Sequence, residues 1–504
     1  MQGVDQSLRL PFRRFLLLFV ALMALSAVPL FLTALPPLLD YPTHLARMHL
    51  LPQLPDPLLR QFYAVAWAPL PNLAMDGIVP FLAFVMPLAW AGKVFILLTF
   101  VLLAGGTAAI YRVLFGVWSA WPCLAFLLLY TRLLLWGFLG YLFGSGLALA
   151  AFAAWLALRE RHWALRVAVG GVFALAVYLA HLLAFGLYAV MIASYEGGAI
   201  WRERSRFGAA ARALAIGGVP FLPALALMAR NSSSGRIIYA NPLRKIDLLF
   251  SVFDNYSRPF DVICFVSIVL AVAFAFQRRW VKLAPAMAGP LIGLVIVYLA
   301  MPTQLFTAAG ADRRIPMMIF LVLIGGSRWV APSPAWATRF AAAAGALFLV
   351  RLALIALVWH DSGKLYAQLI PGLDKVPPGS CIAASFDGRG IAVQKAPLTH
   401  FATLAVARRD AFVTTIFAYP DQQPIRLKPV AQAFANQLSA QGLWSAFVTA
   451  SAPLAPAVKS ALMRCGYVAF AGVEPFSLAD RAGLDPVFVT PRFQLYRFAS
   501  LAAP

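Results

Sequence analysis

Residues 15–35 read FLLLFVALMALSAVPLFLTAL, and residues 36–47 continue PPLLDYPTHLAR. The first stretch carries no charge and reaches the ~20 residues that a helix needs to cross a bilayer. Further apolar runs at 94–110 and 138–158 approach or exceed that length. The 504 residues are 62% hydrophobic and 12% charged, with a mean hydropathy of +0.80. Soluble domains carry roughly 25% charge, so the class is a polytopic α-helical membrane protein. The second stretch gathers Asp40, His44 and Arg47 within eight positions of an acid-poor chain. If a helix starts at Tyr41, these three share one side of it. Ionisable groups at a membrane boundary are expensive to keep and read as a functional site. The competing reading is an interfacial loop whose polar side chains face water.

Working outward, Arg9, Arg13 and Arg14 precede the first span, expected at 14–35, and place it with its start inside and Asp40 outside. Ala-Leu-Ser-Ala27 has the look of a cleavage site. The apolar run continues past it, however, so an uncleaved signal anchor is expected. The net charge of +22 sits in short clusters between apolar runs: Arg159/Arg161/Arg166, Arg202/Arg204/Arg206, Arg278/Arg279/Lys282 and Arg328/Arg339. That is the positive-inside pattern of cytoplasmic loops and not a nucleic-acid face, and it favours anionic membrane lipid.

Residues 36–76 form a first outer loop whose many prolines and aromatic side chains suit short interfacial helices. Spans follow at about 91–113, after an entry broken by Pro80 and Pro87, then at 118–135 and 138–158 around Gly137. A pair is expected within 164–195, then single spans at 209–229, 259–277, 283–301, 314–331 and 338–359. This makes about 11 transmembrane helices, with every arginine-rich loop on one side. Asp40, Asp56, Asp76, Asp247, Asp254, Asp261 and Asp312 all fall on the other side. Gly137, Gly140 and Gly144 form a small-residue stripe suited to close helix packing.

Composition changes at His360. The transmembrane part is expected over 1–359, and 360–504 is expected as a soluble extracytoplasmic α/β domain. It would have helices near 427–441 and 454–464 and a terminal hairpin, 486–490 with Phe493–Phe498. Shorter apolar runs also occur at 412–418, 446–449 and 467–470. Cys123 and Cys264 lie in apolar spans, whereas a bridge between Cys381 and Cys465 is open if the tail is exported.

The acid in the first outer loop, the interfacial segments, the many spans and the soluble outer tail together resemble the GT-C superfamily of integral-membrane glycosyltransferases. The resemblance covers 1–359 in architecture, with Leu39-Asp40-Tyr41-Pro42-Thr43-His44 matching the acid-bearing first loop. It implies transfer of a sugar from a polyprenyl-phosphate carrier to a lipid, glycan or protein acceptor on the outer face of a bacterial inner membrane. It also implies that Asp40 is the general base. Many relatives have two adjacent acids there, whereas Asp40 is followed by Tyr41. No cofactor is required by the sequence, and a divalent cation stays open.

The chemistry has definite needs. An acceptor hydroxyl must lose a proton, which a carboxylate in hydrogen-bond reach can take. His44 could orient Asp40, share the proton or contact the phosphate, or simply bond to backbone. An anionic lipid-phosphate leaving group needs cations, and guanidinium binds phosphate bidentately. Arg47, Arg236, Arg258 and the Asp312-Arg313-Arg314 run are the candidates. Asp76 is either a second acid of the site, binding acceptor or a divalent ion, or a helix N-cap. His181, Tyr178 and Tyr141 line the cavity or the core. Asn231 and Asn255 begin N-x-S sequences. The tail's most polar stretch, 400–424, is expected as a solvated loop, with acceptor contact as the alternative. The sequence has no phosphate-binding loop, zinc-protease motif or Cys/His cluster. A flippase or transporter of a lipid-linked saccharide, and a non-catalytic envelope protein, remain as alternatives; paired similar halves, the mark of many transporters, are not seen.

Overall fold

The computed structural model describes residues 8–54, 56–204, 206–230, 236–306, 308–330, 333–388, 396–451, 453–479 and 483–498. Among these, eight helices are long and apolar enough to cross a membrane: Phe12–Phe31, Leu88–Phe115, Leu139–Ala157, Trp163–Ala180, Leu182–Glu203, Phe207–Arg230, Arg258–Gln277 and Pro334–Asp374. Three further expected spans take shorter form as Trp121–Trp136, Pro285–Ala300 and Ala311–Gly326. The first of these is a 3-10 stretch, Trp121–Leu128, followed by a short α-turn, Arg132–Trp136.

Several boundaries differ from expectation. The pair read within 164–195 has room for two full helices because the second runs on to Glu203, where Arg204 turns left-handed (φ 47°). The last span does not stop near 359. The helix Pro334–Asp374 has 41 residues, or roughly 60 Å at about 1.5 Å per residue, twice the hydrocarbon thickness of ~30 Å. It therefore carries the chain out of the membrane region, and the division expected at 359/360 falls inside it. The helix runs through Gly345 and Gly363 without a break, so the loss of hydrophobicity at His360 changes its surroundings without ending it.

Two antiparallel ladders tie arginine-rich loops together at one end of the bundle. Arg9 and Leu10 pair with Ser119 and Trp118, and Val281–Leu283 pair with Ser327–Trp329. At the other end sits the C-terminal domain. Its five-stranded sheet has the order Phe412–Val413, Cys381–Phe386, Gly466–Ala471, Phe493–Phe498, Leu484–Val489. The first two pairings are parallel and the last two antiparallel. The terminal hairpin is present, and helices Pro429–Gln437, Ala440–Phe447 and Pro456–Cys465 flank the sheet. The apolar run at 446–449 ends a helix and is not a strand. Cys381 and Cys465 are joined as a disulfide, with Cα atoms 4.8 Å apart.

The loop between the first span and the helix Ala74–Ala83 is the seam between the two parts. After the helix Tyr41–Gln53, its strand Tyr63–Val65 pairs antiparallel with Ile425–Leu427 of the C-terminal domain. Phe62 stacks on Phe412 at 5.1 Å, and the Tyr63 hydroxyl donates to the Ala411 carbonyl at 3.2 Å. His49 Nε2 lies 2.8 Å from Asp410 Oδ1. The 400–424 stretch is thus largely a docking surface, which its polarity did not reveal.

Candidate active site

Asp40 stands at the N-cap of the helix Tyr41–Gln53, yet its side chain makes no capping hydrogen bond. The local sequence explains this. A capping residue is usually extended and accepts from the N–H at the second or third helical position; Asp40 is itself helical (φ −90°, ψ −4°), and Pro42, at the second, has no N–H. Among the described residues the Asp40 carboxylate makes no hydrogen bond, and its side chain is 15% exposed. It is left for something else. Burial lifts its pKa to about 7, against the opposing pull of the Arg314 and Arg47 guanidiniums. A carboxyl poised near neutrality suits a general base, whose best pKa lies near the working pH.

The turn at 132–137 cradles this residue. Leu39 N–H donates to Leu135 O (2.9 Å) and Asp40 N–H to Trp136 O (3.2 Å). Gly137 is left-handed (φ 87°), and a Cβ there would stand 2.9 Å from Asp40 Cβ and 3.0 Å from Asp40 N. His44 Nε2 donates to the Gly137 carbonyl at 3.0 Å, which fixes its proton on Nε2 and leaves Nδ1 a lone pair. That Nδ1 is buried without a partner among the described residues. Burial first, then Arg47, depresses the His44 pKa to about 3, so the ring is neutral. His44 therefore bonds to backbone and neither donates to Asp40 nor carries charge to a phosphate. Gly140 and Gly144 do pack closely, against Asn72 and against Ala184 and His181.

The cations sort differently from expectation. Arg47 grips Asp76 through two bonds, Nε–Oδ1 at 2.6 Å and Nη2–Oδ2 at 3.0 Å, with side chains 1% and 0% exposed. Both Asp76 oxygens are engaged, so Asp76 is neither a simple N-cap nor an open ligand for acceptor or metal, and Arg47 is already paired, with its Nη1 alone lacking a partner among the described residues. Asp312 does not pair with its neighbours. Thr303 Oγ1 donates to its Oδ2 at 2.9 Å and Lys245 Nζ lies 3.5 Å away. Lys245, which also bonds the Tyr298 and Met301 carbonyls, carried no sequence signal. Arg258 is exposed and paired with Asp247 at 3.2 Å, and Arg236 is exposed on the strand Arg236–Ile238.

Arg314 is the cation brought to Asp40. It is buried, its Cζ lies 4.3 Å from the Phe138 ring centroid, and its Nε has no partner among the described residues. Arg313 lies over Trp136 at 4.8 Å. Tyr141 is buried and donates its hydroxyl to the Arg314 carbonyl at 2.5 Å, while His181 meets the Tyr141 ring edge-on at 5.3 Å. His181 Nδ1 accepts from Leu183 N–H, a helix cap. Tyr178 is fully buried in the core. Asn255 is buried and bonds to the Tyr130 carbonyl, so it offers no accessible glycan acceptor; Asn231 lies outside the described residues.

His400 arrives from the C-terminal domain. Its Nε2 is 3.6 Å from Asp40 Oδ1, and the ring lies edge-on to Phe417 at 5.0 Å. Burial lowers its pKa to about 4. Phe417 N–H donates to Thr43 Oγ1 at 3.1 Å, fastening this segment to the helix that bears Asp40. Sequence reasoning placed His400 only at the head of a polar stretch. No local spacing could have joined it to Asp40.

The fold and site define a polytopic membrane protein whose first loop and C-terminal α/β domain together enclose a poised carboxyl beside an arginine. No family model and no curated protein matches the chain. Among solved structures it is similar to ArnT from Cupriavidus metallidurans in the apo state, at 14% identity and a TM-score of 0.48, over 98% of this chain and 99% of that one.

Proposed function

We propose that this protein is a membrane glycosyltransferase that moves a sugar from a polyprenyl-phosphate carrier to an acceptor hydroxyl on the outer face of a bacterial inner membrane. The N-terminus is then cytoplasmic and the domain 360–504 periplasmic. The observation that carries this reading is the uncapped, largely enclosed Asp40 carboxyl held near neutrality within the field of Arg314. In the reaction the acceptor oxygen attacks the anomeric carbon, and its proton passes to Asp40. The bond from that carbon to the phosphate oxygen breaks, and the lipid phosphate leaves with the electron pair. Arg314, with Arg313 beside it, supplies the positive charge that stabilises this anion. Asp312, Lys245 and Thr303 anchor the start of the helix that carries both arginines. The acceptor is lipid, glycan or protein in class.

The sidedness has two supports. The disulfide belongs in an oxidising compartment, and it lies in the domain that the first outer loop pairs with. Arginine-rich loops gather at the opposite end. The decisive experiment is Asp40→Asn, assayed for sugar transfer from polyprenyl-phosphate donors in membrane vesicles. A base removed in place should lower the rate about 10²- to 10⁴-fold while insertion is preserved. Transfer at the wild-type rate would remove Asp40 as the base. Reporter fusions after residues 76, 206 and 365 test the topology, and a cytoplasmic signal at 365 would overturn it.

A further inference from the structure

Most buried ionic groups of this protein sit in pairs of their own, such as Arg166 with Glu196 and Arg351 with Asp261. His400 does not. It lies between Phe386 and Phe417, 12% exposed, with Nε2 directed to Asp40 Oδ1 and Nδ1 buried without a partner among the described residues. An orphaned buried N–H is rarer and costlier than an orphaned lone pair, so the proton belongs on Nε2. The 3.6 Å separation is just beyond a formed hydrogen bond, and catalytic contacts of this kind tighten when substrate binds.

Among the described residues, no other group facing Asp40 offers it a hydrogen bond. From the interfacial helix, His44 has committed its N–H to Gly137 and Arg47 is held by Asp76. From the helix Ala311–Gly326, Arg314 acts through its charge. From the C-terminal domain, Tyr419 is half-exposed, and its hydroxyl makes no hydrogen bond to Asp40 among the described residues. We propose that His400 is the positioning residue of Asp40, its Nε2–H holding Oδ1 and favouring the ionised carboxylate, so that Oδ2 faces the acceptor hydroxyl. The C-terminal domain then completes the proton-accepting site and is not an appendage to it. This rests on Asp40 being the base. A neutral imidazole suits the role, because it orients the carboxylate without forming a full ion pair that would suppress its basicity.

The test reads Asp40 directly and needs no substrate. Dicyclohexylcarbodiimide adds to protonated carboxyls, so labelling of the Asp40 peptide in the full chain, followed by mass spectrometry from pH 5 to 9, reports the carboxyl's midpoint. His400→Phe keeps the ring packing and removes the donor; the midpoint should rise by about one unit, as loss of a bond to the charged form requires. His400→Gln, which can reach with its amide N–H, should return it towards wild type. If His400→Phe does not fold, His400→Asn, too short to reach, takes its place. An unchanged or lowered midpoint in the variant lacking the donor would overturn the proposal, even with Asp40→Asn inactive in transfer. Transfer surviving Asp40→Asn would instead sink the base itself, whatever the labelling shows.

Discussion

The buried pair between Arg47 and Asp76 offers the sharpest quantitative test of how the site is built. Two charge-assisted bonds of 2.6 and 3.0 Å fasten the interfacial helix to the helix Ala74–Ala83, and neither side chain reaches solvent. Asp76→Ala leaves a guanidinium in a dry site with no counter-ion. Such a break costs about 3–5 kcal/mol, the two bonds accounting for about 1.5–3 each before relaxation. Arg47→Met should cost about as much, because a carboxylate is then stranded. The double variant Arg47→Met with Asp76→Leu removes both charges and fills the volume, and should lie within about 1–2 kcal/mol of wild type. The coupling energy would then exceed about 2 kcal/mol, measured by reversible unfolding of the purified protein in detergent as a double-mutant cycle. Single variants within 1 kcal/mol of wild type, or a double variant equal to their sum, would refute the claim that this pair is dry and mutually neutralised.

Gly137→Ala should cost about 1–2 kcal/mol from its left-handed φ alone, and it also drives a methyl into Asp40, so transfer activity should fall more than the melting temperature suggests. The Asp40 carboxyl, with its pKa raised from 3.8 to about 7, binds its proton more tightly folded than unfolded. It therefore withdraws stability as pH rises from about 4 to 7, at up to about 1.4 kcal/mol per unit. Asp40→Asn should accordingly melt higher than wild type at pH 8, with the advantage gone at pH 4, while wild-type transfer rises through pH 7. Reducing the Cys381–Cys465 bridge should destabilise the C-terminal domain by about 2–5 kcal/mol, visible as faster proteolysis of that domain after thiol treatment.

Much of the architecture was legible because spanning helices announce themselves by length and apolarity, and strands of the tail by short apolar runs between turns. The Asp40, His44, Arg47 cluster was visible as charge at a boundary, and Arg314 as a cation on the side where positive-inside charge is not expected. What spacing could not give was partnership. Arg47 and Asp76 both read as site residues, yet they satisfy each other. Gly137 read as helix packing, yet its carbonyl holds His44 and its missing side chain admits Asp40. His400 and Lys245 reach their partners only through tertiary contacts, which no periodicity encodes. The extension of the last helix to Asp374 was hidden because polar residues end hydrophobicity without ending helix.

The ladder between Tyr63–Val65 and Ile425–Leu427 has a consequence for how the chain is made. The Thr43 hydroxyl waits for an amide 374 positions later, so the early loop emerges long before its mate has been synthesised. Throughout that interval its backbone edge and Phe62 have nothing to cover them, and loop closure over such a distance is slow. A nascent chain stalled before residue 425 should accordingly display this loop to proteases and holdase chaperones, and final maturation should coincide with arrival of the last hundred residues.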